Sequence, residues 1–130
     1  MRYLGIDFGA KRIGLALSDE GGQFAFPHET IPNDATSIDR IQKIAHKEGV
    51  GILVIGDTRT VHGAENPITE AAEVFANTVS AHLGIPCERM WEAWSSIEAS
   101  RYAPKGSEHS DSAAAAIILQ RYIDTKTGRA

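Results

Sequence analysis

Three apolar, strand-like runs are crowded between Tyr3 and Ile31, and nothing between them is long enough to hold a helix. Tyr3-Leu4-Gly5-Ile6-Asp7-Phe8 stops at Gly9, and Ile13-Gly14-Leu15-Ala16-Leu17-Ser18 stops at the turn Asp19-Glu20-Gly21-Gly22. The third run, Phe24 to Ile31, carries Pro27, which suits an edge strand because proline has no N–H to give to a ladder. Strands joined this tightly must run antiparallel, since parallel neighbours need a crossover of a dozen or more residues. The chain therefore opens on a three-stranded antiparallel meander.

After Ile31 the period changes. From Ser37 to Lys47 the apolar residues Ile38, Ile41, Ile44 and Ala45 keep the spacing of an amphipathic helix, and Gly49 ends it. Val50 to Ile55 is a nearly continuous apolar run, the mark of a strand covered on both faces. Asn66-Pro67 opens a second helix that runs to about Leu83 before Gly84, and Ile85 to Trp91 is a fifth strand. A brief helix is expected after Ser95, and a last one runs from about Ser110 to Asp124. The order βββαβαβα predicts an α/β fold: one five-stranded mixed sheet, a three-stranded antiparallel meander plus two parallel strands, with helices on both faces. The first strand can sit centrally in such a sheet, and ligands gather outside the carboxyl ends of its parallel strands.

A chain of 130 residues fits a single domain spanning 1–130. The lone Cys87 forms no internal disulfide, which suits a reducing compartment. A charge is reached by Asp7, so the N-terminus lacks the apolar region of a secretory signal, and no apolar run approaches the roughly 20 residues of a membrane span. A cytoplasmic protein without a membrane partner is expected. The formal charge of −4, from 13 basic and 17 acidic side chains, is not that of a dedicated nucleic-acid binder. A site built of carboxylates is itself acidic, however, and bound divalent cations invert the local field.

Four acids stand where such a site would lie. Asp7 closes an otherwise apolar strand, where an unpaired charge would cost several kcal/mol unless it met a cation or water. Gly9 beside it leaves room for a phosphate. The plainer account pairs Asp7 with Lys11 or Arg12. Counting from Asp111, the residues Ala114, Ala115, Ile118, Leu119 and Tyr122 form one stripe, so Asp111 begins the buried face of the last helix, and Ala113 to Ala116 let that helix approach closely. Asp111 could equally be a helix-start acid, although Ser110 can supply the cap. Glu92 follows the fifth strand between Trp91 and Trp94, and Asp57 ends the fourth; each is also a plausible surface or turn acid. What unites them is the expected sheet, which brings the ends of strands one, four and five to one rim. Carboxylates at such a rim suit hard divalent ions, Mg²⁺ or Mn²⁺, and two ions roughly 4 Å apart can clamp a phosphoryl displacement. The histidines His28, His46, His62, His82 and His109 are scattered and no cysteine pair exists, so a zinc site is not indicated. Ser18, Ser95 and Ser96 lack the setting of an activated nucleophile.

The opening Asp7-Phe8-Gly9-Ala10-Lys11-Arg12-Ile13-Gly14 resembles the first hairpin of the YqgF/RuvX family, proteins described as Holliday junction resolvases or pre-16S rRNA processing nucleases. The closing run Asp111-Ser112-Ala113-Ala114-Ala115-Ala116-Ile117-Ile118-Leu119 resembles the family's last helix, and Gly56 to Glu65 its glycine-rich loop. The resemblance implies an RNase H-like fold and a nuclease dependent on Mg²⁺ or Mn²⁺, two ions being expected, with Asp7, Glu92 and Asp111 as the acidic triad. Against the family's Asp-Glu-Arg-Leu-(Ser/Thr)-Thr, this chain has Trp91-Glu92-Ala93-Trp94-Ser95-Ser96; against Gly-Leu-Pro-Leu-Asn, it has Gly56-Asp57-Thr58-Arg59-Thr60. Asp57 is thus new to the pattern and is a candidate fourth metal ligand.

On this reading Lys11, Arg12, Arg59, His62 and Lys105 hold phosphates of the partner, RNA or branched DNA, around the acidic centre. A two-fold junction would favour a homodimer. Two other classes compete. Gly5-Ile6-Asp7-Phe8-Gly9 also resembles the phosphate loop of actin-like sugar kinases, which need two such domains where 130 residues supply one. A binding or regulatory module that kept the fold and lost catalysis would explain the altered loops and acidic balance.

Overall fold

The computed structural model describes residues 1–57, 67–91 and 111–128. Its elements, in chain order, are β1 (Arg2–Phe8), β2 (Arg12–Ser18), β3 (Ala25–Pro32), α1 (Ser37–Glu48), β4 (Val50–Asp57), α2 (Pro67–Leu83), β5 (Cys87–Trp91) and α3 (Asp111–Thr127). The five strands form one sheet in the order β3-β2-β1-β4-β5. β1 pairs antiparallel with β2 and parallel with β4; β2–β3 is antiparallel and β4–β5 parallel. The expected mixed sheet is therefore present, with β1 central and the proline-bearing β3 at an edge. The brief helix expected after Ser95 lies outside the described residues.

Alternation along the strands divides the core in two. Leu4, Ile6 and Phe8 of β1, Ile13, Leu15 and Leu17 of β2, and Leu53 and Ile55 of β4 pack with Ile41 and Ala45 of α1 and Ala72, Ala76 and Val79 of α2. The intervening residues Tyr3, Ala16, Ile52 and Val54 pack with Ala115, Ile118, Leu119 and Ile123 of α3. α1 and α2 thus cover one face and α3 the other, as right-handed crossovers require. On α3 the buried stripe is Ser112, Ala115, Ile118, Leu119 and Ile123. It is centred one residue later than the sequence periodicity suggests, so Asp111 flanks the stripe and is half-buried instead of heading it.

Asp19 and Asp34 fix the two turns that frame β3. Asp19 Oδ1 accepts from the backbone N–H groups of Phe24 and Gln23 at 2.9 and 2.7 Å. These bonds, Phe24's first, hold its carboxyl below the ordinary value of 3.8. A lowered folded value means that this stabilisation is complete above pH 3.8 and fades as pH falls through the folded value. Asp19→Asn is accordingly expected to flatten the acid limb of a stability–pH curve below about pH 4. An unchanged limb in urea titrations would count against the turn.

Candidate active site

The end of β1 and the start of α3 converge on a residue with no side chain. Asp7 stands directly across the β1–β2 ladder from Gly14, and the β1 alternation puts it on the α3 face with Tyr3 and Gly5. A Cβ placed on Gly14 would lie 1.9 Å from the carbonyl oxygen of Asp111 and 2.7 Å from the backbone nitrogen of Ser112. The first turn of α3 therefore rests on the bare backbone of β2 opposite Asp7. That close approach brings Asp7 and Asp111, from opposite ends of the chain, to the same rim of the sheet. Both are half-buried.

The hairpin turn between them carries positive charge. The Gly9 N–H donates to the Arg12 carbonyl at 2.9 Å, and a Cβ on Gly9 would lie 2.6 Å from that oxygen. Gly9 is thus needed by its own turn, a tighter requirement than the open space for a phosphate expected from sequence. Asn33 pins the turn from outside: its side-chain amide donates to the Gly9 carbonyl at 2.7 Å, and its backbone N–H to the Lys11 carbonyl at 2.9 Å. Lys11 is exposed on this anchored turn. Arg12 is also exposed, and its Nε donates to Asp111 Oδ2 at 3.0 Å. Of the basic partners weighed for Asp7, Arg12 is thus engaged by Asp111.

Sequence reasoning missed Asn33. Asn33-Asp34 after an edge strand reads as an ordinary turn, and nothing local signals that its amide reaches back to Gly9. Gly14 was visible only as part of a motif, because its reason is a helix almost a chain-length away.

The remaining candidates fall elsewhere. The main chain of Asp57 closes β4 and pairs with Trp91, the last residue of β5; its side chain lies outside the description. Glu92, the residue after β5, and Arg59, His62 and Lys105 lie outside the described residues. Among the described residues, no three His, Cys, Asp or Glu side chains gather as a metal-binding group. Asp7 and Asp111 supply two of a possible set, and their donors are carboxylate oxygens, the chemistry a hard divalent ion prefers. Among the described residues, Asp7 and Asp111 are the two that would hold such an ion.

Residues 1–125 match the family described as "RuvX: Holliday junction resolvase". The chain belongs to the RuvX family. Membership places it among nucleases. A Sphingopyxis alaskensis protein named "Putative pre-16S rRNA nuclease" is 37% identical over 135 residues, covering 97% of this chain and 88% of that one. An Oenococcus oeni protein of the same name is 35% identical over 138 residues, covering 97% and 96%. Among solved structures, RuvC of T. thermophilus in complex with a Holliday junction substrate superposes with a TM-score of 0.64 at 15% identity, covering 99% of this chain and 98% of that chain. The yeast mitochondrial Holliday junction resolvase gives 0.52 at 12%, covering 98% and 81%. At such identities the likeness is one of fold, and it is the RNase H-like fold of these resolvases. No helix among the described residues is long and apolar enough to cross a membrane.

Proposed function

We propose that this RuvX chain is a divalent-cation-dependent endonuclease for structured nucleic acid, with Asp7, Asp111 and Glu92 as its metal-binding carboxylates. The observation that carries the reading is the meeting of Asp7 and Asp111 over Gly14. Two half-buried acids brought to one rim are a setting that suits an occupant of opposite charge. Glu92 enters the reading through the family resemblance, as the residue that follows β5 in sequence. Glu88 pairs with Val54, and Met90 packs with the α3 cluster, so the even positions of β5 belong to the face that carries Asp7. Asp57 is a subsidiary candidate.

Bound Mg²⁺ or Mn²⁺ would neutralise charge on the scissile phosphate and lower the pKa of an attacking water. The chain's own part is to hold the carboxylates on rigid elements, while the turn pinned by Asn33 presents Lys11 to the backbone of the nucleic acid. Arg59, His62 and Lys105 would extend that phosphate contact.

The relatives' names point to precursor 16S rRNA and the family description to a four-way DNA junction, and both belong in the test. Protein stripped of metal is incubated with each substrate, with and without Mn²⁺. The expected result is cleavage of at least one substrate only when the cation is present, and the preferred substrate identifies the nucleic acid. Cleavage that persists in chelator removes the metal reading. Tight binding without cleavage under every condition favours the catalytically silent binding module.

A further inference from the structure

The pair formed by Arg12 and Asp111 is asymmetric. Asp111 is fixed, because its main chain is seated on Gly14 and its side chain is only 29% exposed. Arg12 is held at its backbone by the Gly9 turn, but its side chain is 68% exposed and can leave Asp111 without being buried anywhere else. A long, mobile cation therefore sits on a carboxylate that, on the proposed reading, a divalent ion must also use.

We infer that Arg12 is an exchangeable counter-cation for Asp111, occupying the carboxylate until a divalent ion displaces it and then turning outward to a phosphate of the nucleic acid. The inference rests on the metal-binding reading above and deepens it. While no cation is bound, the guanidinium neutralises Asp111 at the first turn of α3. A divalent ion carries twice the charge and loses no side-chain rotamers, so it wins the site, but it must first break the ion pair. The exchange is cheap because an exposed pair of this kind is weak. It also couples the two ligands: whatever takes Asp111 frees a cation at the lip of the centre, so metal strengthens nucleic-acid binding and nucleic acid strengthens metal binding.

Calorimetric titration of Mn²⁺ into wild type, Arg12→Gln and Arg12→Lys tests this without reference to cleavage. Arg12→Gln, which removes the competing charge, is expected to bind Mn²⁺ about three- to five-fold more tightly than wild type, and Arg12→Lys, which keeps it, within about two-fold. On wild type, the Arg12 Nε–H resonance is expected to move as Mg²⁺ is added, following its release from Asp111. Equal or weaker Mn²⁺ binding by Arg12→Gln, or an Nε–H signal that stays in place while Mg²⁺ saturates the protein, overturns the exchange and leaves the metal site intact. Absence of Mn²⁺ binding in wild type and Arg12→Gln alike overturns the metal site, and the exchange falls with it.

Discussion

Asp7→Asn is expected to lower cation-dependent cleavage by about a thousand-fold while the protein stays folded, since a divalent ion contributes several kcal/mol of charge stabilisation and about 4 kcal/mol corresponds to that factor. Asparagine keeps the shape of the aspartate and one oxygen, so packing across from Gly14 is preserved. What it removes is one negative charge at the rim that Asp7 shares with Asp111. The melting temperature should stay within about 3 °C of wild type, because the exchange is isosteric at a half-buried position. Asp57→Asn is the informative comparison. Asp57 is the subsidiary candidate, and its main chain closes β4 opposite Trp91. Its replacement should cost less than about ten-fold in rate, or roughly 1.4 kcal/mol. Single-turnover rates and thermal melts on the same samples decide the matter. An Asp7→Asn protein within ten-fold of wild type, or an Asp57→Asn protein that is the worse of the two, would show that the carboxylates have been chosen wrongly.

The fold was legible because short connections and apolar period are strong local signals. Three strands without room for a helix between them can only form a meander, and the shift from alternation to the Ile38, Ile41, Ala45 spacing marks where crossovers begin. The site was legible only as a set of strand and helix ends. That Asp7 should matter could be read from a charge closing an apolar strand. That Asp111 belongs with it follows from the family resemblance and not from local pattern, because the contact that brings α3 to this rim is made by backbone atoms over Gly14, and periodicity places the α3 stripe one residue early. Asn33 was invisible for a similar reason: its partners are the carbonyls of Gly9 and Lys11, and main-chain groups carry no sequence signal. The charge of Arg12 points, in the sequence, to a phosphate; its engagement with Asp111 depends on how closely α3 descends on β2.

That descent makes Gly14→Ala the most damaging small substitution expected among the described residues. The added methyl would sit 1.9 Å from the Asp111 carbonyl oxygen, 2.1 Å from its carbon and 2.7 Å from the Ser112 nitrogen. All three atoms are main chain, so no rotamer change can make room. Either the first turn of α3 lifts from the sheet or β2 buckles away from β1. Forced overpacking of this kind costs about 3 kcal/mol, which for a domain of this size lowers the melting temperature by about 10 °C. Cleavage should fail as well, including at temperatures where the variant is still folded, because lifting α3 carries Asp111 away from Asp7. Gly49→Ala separates the two effects. Gly49 has a φ of 68°, which disfavours alanine, but a Cβ there meets nothing within 4 Å. It should cost about 1 kcal/mol of stability through backbone strain alone, with the rate per folded molecule unchanged. If Gly14→Ala melts no lower than Gly49→Ala and still cleaves, then α3 does not rest on β2, and the two acids are not held together by the contact on which the site depends.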